Sequence, residues 1–315
     1  MKILVTGGCG YIGTELIKVL LKNKHKVISV DKKIFGDYLP KHKNLKNLKL
    51  CVSQVNENIL KGVDTVMHLA AISNDPAAIL NSKITWETNV LYTLKLLKMC
   101  KKSKINKFIF ASSGSVYGIS KKNRVDENTE LLPITDYNKT KMVGEKLVEN
   151  FKKYFSTIIL RPGTVCGYSD NIRLDLTVNA MTIDALKKNL ISVNGGKQIR
   201  PQLHIDDMIE SYLFFLKNNK TGIFNVGFEN YSISKIADMI NKNLESVKIK
   251  KNSSIDVRSY RLYAGKILSI GFKKSKSSND AITDIINNFN NKKIKDRKTN
   301  FRSIFLSKNL KKFYG

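Results

Sequence analysis

The chain has 315 residues, 42% of them hydrophobic, which is enough for one large α/β domain with a smaller lobe or for two domains. Wholesale disorder is excluded by that apolar content. Lys and Arg total 55 against 26 Asp and Glu, a formal charge of +29, yet the lysines are spread over nearly every helix face without interleaved aromatic residues, so nucleic acid is not an expected partner.

In chain order, short β-rich runs fall at 2–6, 27–31, 48–52, 65–70, 107–112 and 157–161, and amphipathic stretches lie between them. In the first such stretch Leu16, Ile17, Leu20 and Leu21 recur at helical spacing, and 86–98 and 139–151 read the same way. This alternation predicts an α/β fold with a doubly wound parallel sheet. Beyond residue 163 the rhythm weakens. Helical patterns at 174–186, 206–216, 234–244 and 280–289 mix with short strand-like pieces at 191–193, 223–226 and 247–249. The expected division is a dinucleotide-binding domain over 1–165, with 203–227 returning to it, and a smaller α/β lobe over 166–315 ending in a basic tail, 290–315. That lobe should lie against the carboxyl edge of the sheet, where open α/β folds bind ligands.

No apolar run approaches the roughly 20 residues of a membrane-spanning helix, and Met1-Lys-Ile-Leu-Val-Thr reads as a strand rather than a secretory signal. Cys9, Cys51, Cys100 and Cys166 are far apart and have no metal-ligand spacing, so no metal site is predicted. Reduced thiols and a cytoplasmic location are expected.

The first strand runs into Gly7-Gly8-Cys9-Gly10-Tyr11-Ile12-Gly13, and a helix follows at once. Glycines at 7, 10 and 13 allow a sharp turn whose N–H groups can approach a pyrophosphate, and the last one lets the helix pack closely on the strand. Asp31 ends the second strand 18 residues after Gly13, close to the distance expected of the carboxylate that accepts hydrogen bonds from the adenosine ribose. A carboxylate there repels a 2′-phosphate, so NAD is favoured over NADP, although Lys32 and Lys33 follow immediately.

Farther along, the fifth strand ends in Ala111-Ser112-Ser113-Gly114-Ser115, and Tyr137-Asn-Lys-Thr-Lys141 begins a helix 24 residues after Ser113. Four residues make about one helical turn, so the phenol and the ammonium share a face. A tyrosine titrates near 10, and a lysine beside it, together with a positive nicotinamide ring, would lower that value. The spacing alone also suits an ordinary surface helix. Ser112 and Ser115 have a purely structural reading as well, in which they satisfy backbone groups at the strand end.

With these pieces in this order, the chain resembles the extended short-chain dehydrogenase/reductase family, in particular its NAD-dependent sugar-nucleotide epimerases and dehydratases. The resemblance covers about residues 1–290. Besides the glycine turn it includes His68-Leu69-Ala70-Ala71, Asn89, Arg161-Pro162-Gly163 and Arg200-Pro-Gln-Leu-His-Ile-Asp-Asp207. It implies a Rossmann-type sheet with a C-terminal substrate lobe, NAD as cofactor, a nucleotide-sugar substrate and a homodimer. Carried over by position, Ser113, Tyr137 and Lys141 are catalytic. Cofactor contacts fall to Gly7, Gly10, Tyr11, Ile12, Gly13, Asp31, Leu69, Ala70, Ala71, Asn89, Ser112, Tyr137, Lys141 and Pro162. Substrate contacts fall to Ser113, Ser115, Asn179, Arg200 and Arg258, where arginine suits a diphosphate because its fork bonds bidentately. Arg173 with Asp175 resembles a subgroup acting on bacterial surface-polysaccharide sugars. His68 and His204 read as structural, and Cys9 as a small filler. Where many relatives carry Gly-Asp near the adenine, this chain has Ser53-Gln54, whose amide could still form a hydrogen bond.

The resemblance also orders the possible reactions. Dehydratases of the family carry Asp-Glu directly after the catalytic Ser/Thr, and here those positions are Gly114 and Ser115. A 4-epimerase, acting by transient oxidation of the sugar at C4, needs only the Ser, Tyr and Lys. A nucleotide-sugar 4-dehydrogenase or keto-sugar reductase of surface-polysaccharide biosynthesis needs the same three and is the alternative. A non-catalytic NAD sensor or nucleic-acid binder would be expected to have lost the Tyr or the Lys, and this chain keeps both.

Overall fold

The computed structural model describes residues 1–120, 122–245, 247–253 and 259–314. Among these described residues twelve strands are formed: β1 (Lys2–Thr6), β2 (Lys26–Asp31), β3 (Leu45–Lys49), β4 (Thr65–His68), β5 (Lys107–Ala111), β6 (Ser156–Pro162), β7 (Thr164–Cys166), β8 (Leu190–Asn194), β9 (Ile199–His204), β10 (Gly222–Val226), β11 (Glu229–Ser232) and β12 (Lys248–Asn252). Seven of them make one parallel sheet in the order β10-β6-β5-β4-β1-β2-β3. The strand order reverses next to β1, and a Rossmann fold opens its ligand crevice at that point. Helices cover both faces, so β1, β4 and β5 are buried along nearly their whole length instead of alternating.

Two apolar layers sandwich the sheet. On one side the helix Tyr11–Lys22 sets Leu16, Ile17 and Leu20 against Met208, Tyr212 and Phe215 of the helix Ile205–Lys217 and against Ile3, Val5 and Ile109 of the sheet. On the other side Leu96, Leu97 and Cys100 meet Leu4, Val66, Phe108 and Phe110.

β3 lies three residues before the expected run at 48–52. Leu45-Lys-Asn-Leu-Lys is an edge strand paired only with β2, and its side chains are only partly buried, so it lacks the apolar signal of the inner strands. The segment from Ser82 to Lys102 is helical on both sides of a π-helical turn at Glu87–Leu91, a longer element than the 86–98 pattern suggested.

The smaller lobe holds a three-stranded sheet, β11-β9-β7, and a parallel pair, β12-β8. Its core gathers Val178, Ile191, Val193, Ile236, Ile240, Ala281 and Ile282. β10 leaves this lobe and pairs with β6, Gly222 opposite Ile158, which returns 222–226 to the large sheet. His204 caps the helix Ile205–Lys217 by accepting from the Asp206 N–H at 3.1 Å, and its Nε2 lies 3.2 Å from Asp284. It ties the helix Ile205–Lys217, which packs on the large sheet, to the helix Ser278–Asn290 of the lobe, as a structural histidine would.

The basic tail forms a helix, Arg302–Tyr314, that leaves the small lobe and packs on the large domain. Leu306 inserts beside Ile72, Ala77 and Ala78. Only Arg302 and Leu306 of this helix are buried, so its sequence carries no wide apolar stripe to announce where it docks. No helix among the described residues is long and apolar enough to cross a membrane.

Candidate active site

At the carboxyl end of β1 the chain turns at Gly7, whose φ is +72°. A Cβ there would stand 2.7 Å from the Ala70 nitrogen, and one on Gly13 would stand 2.3 Å from the Gly7 carbonyl oxygen. Both positions therefore require glycine. The helix Tyr11–Lys22 begins with Gly10 as its N-cap, with no side-chain cap and no acid in its first turn. Its leading N–H groups are the donors that a phosphate takes at a helix N-terminus.

The turn opens on a cleft of about 460 Å³ between the sheet's carboxyl edge and the small lobe, within the usual size of a small-molecule site. Gly7, Gly10, Tyr11, Ile12, Gly13, Asp31, Leu69, Ala70, Ala71, Ser112, Ser113, Ser115, Tyr137, Lys141, Pro162 and Arg200 all line it. The Asp31 carboxylate accepts from the Cys9 N–H at 3.1 Å and the Lys33 N–H at 2.6 Å. Two lone pairs remain for ribose hydroxyls. Burial raises its pKa, and the two N–H donors oppose the shift. The arrangement fits a dinucleotide: a glycine cradle that a Cβ would fill, an uncapped helix start, and an acid at the end of the next strand. Asp31→Ala is expected to weaken NAD binding about ten-fold or more while NADP binding weakens less. Titration of both cofactors checks this, and an unchanged NAD:NADP ratio would remove the role given to Asp31.

Two residues assigned to ligands by position do other work. Asn89 is buried away from the cleft. Its amide clamps both backbone groups of Ile72, at 2.8 and 3.0 Å, and donates to Thr140 at 3.0 Å, so it holds the loop that lines the cleft. Asn179 is fully buried too. It accepts from Gly167 N and donates to the Tyr11 hydroxyl and the Arg173 carbonyl, and it does not face the cleft. In both cases a buried amide spends its capacity on backbone groups that water cannot reach. Gln54 likewise turns back to accept from Cys51 N at 2.8 Å, and the cleft wall beside it is formed by Leu50, Cys51 and Val52. Arg258 lies outside the described residues.

At the catalytic end, Thr135 caps the helix Asp136–Asn150 and sets Tyr137 in its first turn. The Tyr137 hydroxyl faces Ser113 closely enough for the serine to favour the phenolate. Ser113 Oγ is also 2.8 Å from Ser115 Oγ and accepts from Ser115 N at 3.2 Å. One turn past Tyr137, Lys141 donates to the Ala111 carbonyl at 2.7 Å. The three groups meet on one wall of the cleft.

The expected lowering of the phenol rests on the lysine together with a positive nicotinamide ring, and the protein's own groups by themselves act the other way. Burial pushes the Tyr137 phenol up to about 12, with Ser113 opposing it and the Asp75 charge adding to it. Burial pushes the Lys141 ammonium down to about 8, against the pull of Glu145. Desolvation disfavours each charged form. The protein's own groups thus keep the phenol protonated at neutral pH, and a further positive charge is needed to ionise it.

One turn beyond Lys141, Glu145 anchors a network that the sequence did not disclose. It accepts from Ser112 Oγ and from Arg161 Nε and Nη2 at 2.9 and 2.7 Å. Arg161 Nη1 donates to the Tyr117 hydroxyl, which donates to Asn225 on β10. The only sequence signal is Glu145 itself, which follows Tyr137 and Lys141 at four-residue intervals. On the other wall Arg173 forms a forked pair with Asp175 at 2.9 and 3.0 Å and donates to Ser73, while Asn74 donates to Asp175. Arg173 and Asp175 line the cleft together with Thr177 and Tyr260, and its charge lowers the Tyr137 pKa.

The comparisons agree with this geometry. Residues 3–227 match the model of the NAD dependent epimerase/dehydratase family. An uncharacterized UDP-glucose epimerase of Bacillus subtilis, YtcB, is 36% identical over 76% of this chain and 81% of its own length. The UDP-glucose 4-epimerase of Lactobacillus helveticus is 30% identical over 72% of this chain and 76% of its own. Dehydratases are among the relatives as well. Among solved structures, the UDP-glucuronic acid 4-epimerase of Bacillus cereus, in complex with UDP-glucuronic acid and NAD, superposes with a TM-score of 0.82 at 27% identity, covering 92% of this chain and 99% of that one. A glycine cradle ending β1, an acid ending β2 and a Ser-Tyr-Lys wall, on a chain matched by this family model over most of its length, make the protein a member of the NAD-dependent epimerase/dehydratase family, with NAD as its cofactor.

Proposed function

We propose that this protein interconverts the 4-epimers of a nucleotide-sugar by transient oxidation at C4. The observation that carries the reading is the meeting of Ser113, Tyr137 and Lys141 on one wall of the cleft, with no uncommitted acid–base pair beside them among the described residues. Gly114 has no side chain, and the Ser115 hydroxyl is engaged with Ser113. Asp175 is held in its pair with Arg173, and Asp75 accepts from Thr135. Elimination of water would require such a pair; epimerisation does not.

Bound NAD supplies a hydride acceptor and, when oxidised, the positive charge that the phenol lacks. Ser113 Oγ would orient the C4 hydroxyl, and Tyr137 Oη would take its proton when C4 is oxidised and return it when the keto-sugar, turned over in the cleft, is reduced on its other face. Lys141, fixed on the Ala111 carbonyl, would stabilise the phenolate. Arg200 on the cleft wall is placed for the diphosphate, and a basic surface would collect that anion.

The test is to incubate the NAD-loaded protein with a panel of UDP- and GDP-sugars and follow H4 by NMR. Exchange of 4-epimers without net NADH supports the proposal. Stoichiometric NADH with a keto-sugar product would replace it with a dehydrogenase, and loss of water would replace it with a dehydratase. Lys141→Met removes the fixed positive charge, so the phenol should ionise at higher pH. The acid limb of the rate profile should move upward by about one unit or more. A limb that stays in place would show that Lys141 does not tune the base.

A further inference from the structure

The family match ends at residue 227, and the helix Arg302–Tyr314 lies well beyond it. Even so, Arg302 and Tyr314 stand on the wall of the cofactor cleft, at the end where Asp31 and Lys32 lie. The helix reaches this place by contacts with three separate loops. Phe305 packs edge-on against Phe35 of the loop after β2, with ring centres 6.1 Å apart. Leu306 fills a pocket formed by Ile72, Ala77 and Ala78 of the segment after β4. Arg302 donates to the Asn171 carbonyl and side-chain oxygens at 3.0 and 2.6 Å, and the Asn171 amide donates to the carbonyl of Cys9 inside the glycine turn at 2.6 Å.

The far end of the helix is fastened as well. Lys32, the residue after Asp31, donates to the Phe313 carbonyl at 2.5 Å and sits 4.0 Å above the Tyr314 ring. The Tyr314 phenol is half-buried, and loss of solvent, together with neighbouring Cys51 and Asp31, pushes its pKa up. The guanidinium of Arg302 lies over the Phe35 ring at 4.3 Å. Thus the Tyr314 ring lines the cleft beside Asp31, while buried Arg302, donating to the Thr299 carbonyl and to Asn171, fixes the start of the helix to the glycine turn. An aromatic ring at that place suits a flat heteroaromatic ring.

We propose that the helix Arg302–Tyr314 is a wall of the cofactor site, closing over the adenosine end of NAD through Arg302 and Tyr314 and slowing its release. A redox-neutral epimerase returns its cofactor to the starting state in every cycle, so slow release costs it nothing, whereas a dehydrogenase must exchange cofactor each time. That consequence rests on the reaction proposed above; the retention itself does not.

The experiment measures NAD dissociation from the loaded full-length chain, with no sugar present, by chasing bound NAD with excess fluorescent etheno-NAD. Tyr314→Ala should release NAD about ten-fold faster, and a chain ending at Phe301 faster still, because the lost contacts are expressed mainly in the off-rate. Release within about two-fold of the parent in both variants would overturn the proposal. If the shortened chain fails to fold, Tyr314→Ala decides by itself, with an unchanged circular-dichroism melt of its cofactor-free form as control. Fast release in the variants together with stoichiometric NADH from the parent would keep the retention role and reject the epimerase. Unchanged release together with exchange of 4-epimers would do the reverse.

Discussion

Tyr137→Phe is expected to lower turnover by a factor on the order of 10² to 10⁴, the usual worth of a positioned acid–base group, while NAD affinity stays within about two-fold of the parent. The ring is held by the first turn of the helix Asp136–Asn150 and packs against the cluster of Ile72, Ala77, Ala78 and Leu306, so a phenylalanine keeps its place. Only the oxygen is lost, and with it the group that faces Ser113 and that is proposed to accept the sugar's proton. Single-turnover absorbance at 340 nm with a nucleotide-sugar separates this from a binding defect. A variant that still formed the transient reduced cofactor at the parent's rate would show that another group is the base.

Arg161→Ala should cost about 3–5 kcal/mol of stability, because it leaves a buried carboxylate without its partner. Arg161 and Glu145 have side-chain exposures of 3% and 1%, so water cannot take over the lost bonds. The damage should spread along the network. Tyr117 loses a donor, Asn225 on β10 loses the anchored phenol, and Ser112 is left facing an uncompensated charge at the catalytic wall. The double change Glu145→Leu with Arg161→Met removes both charges and should recover most of the stability, since apolar replacement of a buried pair is often close to neutral. Chemical denaturation of the NAD-free chains measures both. Equal stability of Arg161→Ala and the parent would mean that water reaches Glu145, against its burial. The pair's hold on Ser112 and the pull of Glu145 on the Lys141 ammonium predict that the double variant folds well yet turns over slowly.

What could be read from the chain alone was local. The glycine turn, the acid ending β2, and the one-turn spacing of Tyr137 and Lys141 are fixed within a few residues by steric limits at Gly7 and Gly13 and by helical periodicity. The inner strands were legible because burial on both faces demands unbroken apolar runs, and β3 was misplaced because an edge strand is under no such demand. Tertiary structure decided the rest. Asn89 and Asn179 became internal clamps, and Arg161 found Glu145 sixteen residues away and, through Tyr117, Asn225 on a strand returning from the small lobe. The helix Arg302–Tyr314 crossed back to the cofactor cleft with only two buried residues to mark it. A side chain's partner at long sequence separation is set by how elements pack, and no repeat or spacing along the chain records it.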